Sequence, residues 1–244
     1  QHMQDQSKQT QLTQSERSVY GAQAGYRFQD FEIIVRDDGS TDGSADFVAK
    51  KYAAEISSGK LKLRRNEKNI GEFPTDNKLL REATGKYIMF LHSDDLYLYQ
   101  ALEQMYETAE YFNADVVHTG VFLKSQKDGV IDEKTRFKIM CWENRTVKNF
   151  EVVSDAPEQR FLEWTAGDTF IDAPYNIFKH KFILENEIFF PEHSGNLLFC
   201  LHWLMKAKVY VKSPDIFISI AIRPTLRQMT GRRFTKGLGK ISVT

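Results

Sequence analysis

The sequence has few cysteines and no long apolar segment, and both absences narrow what the chain can be. Only two of its 244 residues are cysteines, Cys141 and Cys200, too few for a disulfide framework. That favours a reducing compartment. No run approaches the roughly 18 to 20 apolar residues that a membrane-spanning helix needs. The first residues are polar and rich in glutamine, unlike a signal peptide. We therefore expect a cytoplasmic protein.

The sequence also has no net charge, since 33 Lys and Arg residues balance 33 Asp and Glu residues. This balance argues neither for nor against nucleic acid, and nothing else in the sequence predicts such a partner. The segment from Arg223 to Lys240 is an exception, with six basic residues and no acidic one. It is either a solvated end or a contact for phosphates, an anionic acceptor or the inner face of a membrane.

Short apolar runs alternate with segments of helical periodicity in the first half of the chain. The predicted strands cover residues 31–35, 60–66, 87–91 and 114–123, and the predicted helices lie between them at 44–55, 74–85 and 98–112. This β-α-β-α-β-α-β order predicts an α/β fold, with a mostly parallel sheet flanked by helices. At 41% hydrophobic residues, the chain suits a single domain whose second half is more elaborate.

Two pairs of adjacent aspartates follow predicted strands. Asp37 and Asp38 come after the first strand, and Asp94 and Asp95 come after the third. In sheets of this kind, ligands bind outside the carboxyl ends of the strands. The two pairs are therefore expected at the same edge of the sheet, where a ligand would meet both.

Each pair has a functional and a structural interpretation. Asp94 and Asp95 suit a hard divalent cation such as Mg²⁺ or Mn²⁺, which would neutralise a diphosphate. They equally suit a solvated turn in which an aspartate caps a helix. Asp37 and Asp38, in DDGSTDGS, can bond to a nucleobase imide or a ribose hydroxyl. They can also satisfy the free amides of their own turn.

Taken together, the two acidic turns carry a family resemblance. The segments FEIIVRDDGSTDGSADFVAKKYA and KLKLRRNEKNIGEFPTDNKLLREATGKYIMFLHSDDLYL resemble the nucleotide-binding half of family 2 glycosyltransferases, which have the Rossmann-like GT-A fold. The likeness runs from about Gln29 to Gly120. A looser likeness, from Tyr175 to Arg223, is to the acceptor-side half of bacterial members that build surface polysaccharides.

The resemblance implies roles for the acidic residues. Asp38 is similar to the aspartate that holds the nucleotide base, and Asp37 is its neighbour at the same site. Asp94 and Asp95 resemble the signature that binds Mg²⁺ or Mn²⁺ and, through the metal, the diphosphate of the nucleotide. The implied reaction moves a sugar from a nucleotide-sugar, with UDP favoured, to a glycan or lipid-linked acceptor. It inverts the anomeric carbon and needs a general base.

The chain departs from the family pattern at four places. The apolar strand that opens the family is replaced by a polar, glutamine-rich segment. The acidic turn begins with His92. The family's arginine before Asn77 is replaced by Asp76. The Glu-Asp pair that supplies the family's base is absent, and Glu192 and His193 are the nearest candidates; of these we take Glu192 as the predicted catalytic residue.

These patterns divide the chain into four parts. We predict a polar arm at 1–28, a nucleotide-sugar half at 29–123, an acceptor half of the same domain at 124–222, and a basic tail at 223–244. Two alternatives remain. One is a degenerate domain that binds nucleotide or glycan without turnover. The other is a nucleotidyltransferase, although the glycine-rich, basic phosphate loop that such enzymes carry near the first strand is not found.

Overall fold

The computed structural model describes most of the predicted domain. The described residues are 28–91, 95–97, 100–127, 130–136, 149–166, 172–192, 195–222 and 239–243. The predicted polar arm up to residue 27, the tail residues 223–238 and Cys141 lie outside them. Within these residues, no helix combines the length and apolar character needed to cross a membrane.

In the first half of the chain, the strands and helices follow the predicted order, except that the helix predicted at 44–55 is two helices and a short additional strand lies at 95–97. The strands are Phe31–Asp37 (β1), Leu61–Arg65 (β2), Tyr87–Leu91 (β3), Asp95–Tyr97 (β4), Val116–Lys127 (β5), Val130–Arg136 (β6), Glu151–Val153 (β7), Asn176–Lys179 (β8), Tyr210–Ile222 (β9) and Gly239–Val243 (β10). The helices are Ser44–Lys51 (α1), Ala53–Ser57 (α2), Glu72–Glu82 (α3), Ala101–Phe112 (α4), Pro157–Thr165 (α5), His180–Glu185 (α6) and Gly195–Lys206 (α7). A 3-10 turn spans Ala173–Tyr175.

The helix boundaries have local causes. Helix α3 begins directly after Gly71, whose φ of +94° is open mainly to glycine. Pro74 lies in its first turn, where the missing amide hydrogen is not needed. Helix α4 ends at Asn113, which adopts the left-handed conformation at φ +48° that commonly terminates helices. Lys50 and Lys51 lie in the last turn of α1, where the helix dipole favours positive charge.

The strands form one sheet in the order β2-β1-β10-β3-β8-β5-β9-β4, with β6 added to β5 and β7 added to β9. Strands β2, β1, β3, β5 and β9 share one direction, which confirms the predicted α/β architecture. Strands β10 and β8 run against them and separate β1 from β3 and β3 from β5. Parallel neighbours are therefore confined to the β1–β2 and β5–β9 pairs among the described strands. The carboxyl ends of β1 and β3 still lie at the same edge.

Strand β10 fills the position between β1 and β3. Gly239 pairs with both Val35 and Leu91, and Val243 pairs with Phe31 and Tyr87. These five residues belong to the predicted basic tail, which the sequence analysis did not place in the sheet. A short strand at the end of a basic segment has too few apolar residues to signal a buried position.

The core lies on both faces of the sheet. Alternate residues of β3 enter opposite layers, so that Met89 faces α4 and Phe90 faces α7. All five residues of β3 are buried. This explains the unbroken apolar run in the sequence, because a strand covered on both faces has no polar side. Phe90 packs edge-on against Phe178, Phe190 and Phe199 in the second layer.

We predict that removing residues 239–244 destabilises the protein severely. The facing edges of β1 and β3 would lose their backbone partners within the core, and buried amides without partners are costly. We expect the free energy of unfolding to fall by about 4 kcal/mol or more, measured by urea denaturation. Removing Thr244 alone is the matched control and should leave stability nearly unchanged. Equal denaturation midpoints for the two truncations would contradict the placement of β10.

Candidate active site

The Asp38 carboxylate joins the turn after β1 to the loop that precedes α3. It is only 4% exposed. Its Oδ1 accepts hydrogen bonds from Ile70 N and Asn66 Nδ2, and its Oδ2 accepts one from Gly71 N, all at 2.9 Å. A carboxylate offers about four acceptor positions, so three are used within the protein. Within the described ranges, one acceptor position, on Oδ2, has no hydrogen-bond donor.

Asp37 is also buried and engaged. Its Oδ2 accepts from Ser40 N at 3.1 Å and lies 3.3 Å from Arg65 Nε. Asp37 therefore satisfies an amide of its own turn, whereas Asp38 accepts from the loop that precedes α3. A ligand role for either one adds to this structural role and does not replace it.

Asn66 links the Asp38 carboxylate to positive charge. Its side-chain oxygen accepts from Arg36 Nη1 and Lys78 Nζ, both at 3.1 Å. Its amide donates to Asp38 and, at 3.0 Å, to Thr75 Oγ1. Arg36 is also ion-paired with Glu82. This buried polar network holds β1, β2 and α3 in one arrangement.

The second acidic turn lies across β10 from the first. Strand β3 ends at Leu91 and β4 begins at Asp95; His92, Ser93 and Asp94 lie outside the described residues. Only the backbone is described at Asp95, which pairs with Ile220 of β9. Since β10 separates β1 from β3, the two acidic turns leave the sheet two strand spacings apart, or roughly 10 Å. Among the residues whose side chains are described, no three His, Cys, Asp or Glu form a metal-binding group.

The head of α7 lies close to the Asp38 loop. Gly195, at φ +57°, approaches Phe73 so closely that a Cβ there would lie 2.3 Å from the ring. Phe73 is two residues beyond Gly71. The predicted base, Glu192, is exposed in the turn before α7, and His193 lies outside the described residues.

Asp172 is a site candidate that the sequence analysis missed. Its Oδ1 accepts from Ala173 N at 2.8 Å and from Asn196 Nδ2, near the start of α7. Asn196 Oδ1 in turn accepts from Cys200 Sγ at 3.3 Å. The sequence carries one signal for this position, because an aspartate before the Ala-Pro of a turn is typical of a helix N-cap. It carries none for the contact with residue 196.

Asn77 and Asp76 have distinct roles in α3. Asn77 clamps the backbone of Phe190, donating to its carbonyl at 2.7 Å and accepting from its amide at 2.8 Å. Asp76, which replaces the arginine of the family pattern, is 2% exposed. Asn77 therefore ties the acceptor-side half to the nucleotide-side half. At the neighbouring position, a buried aspartate stands where the family pattern has a positively charged arginine.

His118 extends the polar contacts into β5. Its Nδ1 lies 3.1 Å from Asn176 Oδ1, and Asn176 Nδ2 donates to the backbone carbonyl of Asp172. Since the amide oxygen is an acceptor, Nδ1 carries the proton. Burial lowers the pKa of His118 to about 4. The imidazole is therefore neutral at physiological pH.

We predict that Gly39 cannot accept a side chain. It has φ +71°, and an added Cβ would lie 2.6 Å from the backbone carbon of Lys68. Gly59 is the matched control, because it has φ +79° and open space around it. Both G39A and G59A carry left-handed strain, but only G39A also forces the two loops apart. We expect G39A to lower the free energy of unfolding by about 1–3 kcal/mol more than G59A, measured by thermal and urea denaturation. Equal losses would show that the loops do not meet at this glycine.

We predict that His118 makes stability depend on pH. Its pKa is lower in the folded state than the ordinary value of 6.5, so the unfolded chain binds its proton first. Stability is complete above about pH 6.5 and falls as the pH drops towards 4. We expect H118N, whose amide mimics the Nδ1 donor, to remove about 1–2 kcal/mol of the loss between pH 7 and 5. H202N, at a more exposed histidine, should retain most of it. An unchanged pH dependence in H118N would contradict this account.

Comparison with known proteins supports one family. The model for glycosyl transferase family 2 matches residues 14–182, more than half of the chain. The match begins before β1, within the polar segment. It covers both acidic turns and ends in α6.

Two curated relatives share parts of the sequence. The cholesterol galactosyltransferase of Borreliella burgdorferi is 39% identical over 89 residues, which are 36% of this chain and 24% of that protein. The poly(ribitol-phosphate) beta-glucosyltransferase of Bacillus spizizenii is 28% identical over 193 residues, 77% of this chain and 26% of that protein. The chain spans about a quarter of the length of each.

A solved structure shares the fold. The structure of Staphylococcus aureus TarS 1–349 in complex with UDP-GlcNAc aligns with a TM-score of 0.66 at 19% identity. The alignment covers 92% of this chain and 59% of TarS 1–349. The likeness in fold extends over nearly the whole chain.

Proposed function

The chain belongs to glycosyl transferase family 2, and from that membership we propose that it transfers a sugar from a nucleotide-sugar to a glycan or lipid-linked acceptor, with inversion at the anomeric carbon. The observation that carries the proposal is the placement of the two acidic turns, Asp37–Asp38 and the turn that reaches Asp95, at one edge of the sheet across a single strand. One nucleoside diphosphate can span that separation, with its base at the first turn and its phosphates at the second.

We propose that UDP is the nucleotide. One relative is named as a poly(ribitol-phosphate) beta-glucosyltransferase, and TarS was solved in complex with UDP-GlcNAc. In this chain, the acceptor position left on Asp38 Oδ2 suits an imide N–H or a ribose hydroxyl. Asp37, whose Oδ2 is held by Ser40 and Arg65, shapes the same turn.

The acidic turn supplies the right donor set for a divalent metal. Two adjacent carboxylates, Asp94 and Asp95, are hard oxygen ligands of the kind that Mg²⁺ and Mn²⁺ prefer. When bound, the cation would supply positive charge against the leaving diphosphate. The chain's own contribution at this point is to end β3 at Leu91 and begin β4 at Asp95, which fixes the two ends of the turn.

The reaction also needs a base for the acceptor hydroxyl. Glu192 is the candidate from the sequence; it is exposed in the turn before α7, three residues before Gly195.

A second candidate function is binding without turnover. The favouring observation is that Asp38 already accepts three hydrogen bonds from the protein. A domain that retained this turn for stability alone would keep the fold and lose the chemistry. UDP binding without sugar transfer would distinguish it from the enzyme.

We predict that UDP binds more tightly with Mn²⁺ than with EDTA, and that D95A abolishes this gain. A lost metal contact should cost a factor of about ten or more, equivalent to 1.4 kcal/mol, measured by calorimetric titration of UDP. D46A is the matched control, since Asp46 is an exposed aspartate on α1.

The same preparations should release UDP from at least one of UDP-glucose, UDP-galactose and UDP-N-acetylglucosamine, and D95A should not. Binding without release would favour the non-catalytic alternative. If the wild-type protein neither binds UDP nor releases it from these UDP-sugars, the proposed function is wrong.

A further inference from the structure

Asp172 lies near β3, the strand that leads to the second acidic turn. The 3-10 turn that Asp172 caps packs against β3. Tyr97 Oη donates to the carbonyl of Phe90 at 2.6 Å and lies 3.4 Å from the carbonyl of Pro174. Phe90 is the penultimate residue of β3, which leads directly into the acidic turn. The segment that carries Asp172 therefore lies close to the end of β3.

Asp172 also adjoins the Asp38 loop, through α7. Asn196, its hydrogen-bond partner, follows Gly195, which rests on the Phe73 ring. Phe73 stands two residues beyond Gly71, whose amide binds Asp38. The Asp172–Asn196 pair is thus linked, through intervening residues, to the Asp38 loop and to the end of β3.

One oxygen of the Asp172 carboxylate is anchored and the other is open. Oδ1 accepts from Ala173 N and Asn196 Nδ2. Oδ2 makes no hydrogen bond within the part of the chain that the structure describes, and the side chain is only half-buried. A carboxylate held by one oxygen, with the other free, has the geometry of a general base.

The orientation of Asn196 is set by its own partners. Its Oδ1 accepts from Cys200 Sγ, so its amide hydrogens point to Asp172. Burial raises the pKa of the Cys200 thiol, which stays protonated and remains the donor. Asn196 stands near the position where the family pattern has an acid, but an amide cannot accept a proton. The carboxylate at this place belongs to Asp172.

Glu192 is less well prepared for the same task. It is exposed in the turn before α7, and no described residue hydrogen-bonds to its carboxylate. The reaction is slower with a base that no hydrogen bond positions, because its approach to the hydroxyl must be ordered in each reaction cycle.

We propose that Asp172 is the general base of the reaction and that Asn196 is its positioning residue, an inference that rests on the proposed glycosyl transfer. The acceptor oxygen forms a bond to the anomeric carbon as the bond from that carbon to the diphosphate oxygen breaks. The electron pair of the broken bond leaves with the nucleoside diphosphate. The proton of the acceptor hydroxyl passes to Asp172 Oδ2.

The competing account is that Asp172 only caps the 3-10 turn. D172N separates the two, because an asparagine oxygen still accepts from Ala173 N but cannot take a proton. We expect UDP release from the UDP-sugar, with water as acceptor, to fall about 100-fold or more in kcat. UDP affinity and the melting temperature should stay near those of the wild type.

The double variant D172N/N196D is the sharper test. It exchanges the carboxylate and the amide between the two positions, so that an amide still faces a carboxylate while the base moves to the head of α7. We expect it to recover at least about tenfold of the rate lost in D172N, an effect that a capping role does not produce. E192Q tests the rival base, and E185Q, at an exposed glutamate of α6, is the remote control.

Three results overturn the inference. They are a wild-type rate in D172N, a loss in E192Q without one in D172N, and a D172N/N196D variant no faster than D172N. If D172N does not fold, D172S keeps a hydroxyl cap without a base and replaces it in the comparison. Wild-type protein that neither binds UDP nor releases it overturns the proposed function itself. If both the wild type and D172N release UDP at the same rate, only the role of Asp172 is wrong.

Discussion

The site depends on the three hydrogen bonds that the buried Asp38 carboxylate accepts. They fix Gly71, and Gly71 fixes the start of α3. The first turn of α3 presents Phe73, against which the head of α7 rests at Gly195. That contact, the Asn77 hydrogen bonds to Phe190 and the pairing of β8 with β3 together position the acceptor half. The Asp38 carboxylate, which the sequence analysis assigned to ligand binding, thus also helps to position the start of α7.

The charges around this carboxylate are arranged so that an anionic ligand does not meet a bare anion. Asn66 connects Asp38 to Arg36 and Lys78, and Arg65 pairs with Asp37. The buried Asp76 lies where the family pattern has an arginine, so positive charge for a diphosphate must come from elsewhere. In the proposed enzyme, a metal ion bound by Asp94 and Asp95 would supply that positive charge.

The sequence predicted the repeated strand-helix units and the common edge of the two acidic turns, because these follow from local periodicity and from turn-forming residues. It did not predict Asp172, whose contact with Asn196 joins residues 24 positions apart. Nor did it predict β10, since five residues of a basic tail carry no burial pattern. Glu192 stays a prediction. Local patterns reveal which elements form, whereas contacts between distant segments decide which side chains meet.

The position of β10 also has a kinetic consequence. Strand β10 follows every other described strand in the sequence, yet it lies at the centre of the sheet and pairs with residues some two hundred positions earlier. Contacts of such long sequence separation slow folding. Until residue 243 has left the ribosome, β1 and β3 remain as two exposed edges that invite pairing with other chains. The nascent protein is therefore most open to aggregation just before its active site becomes complete.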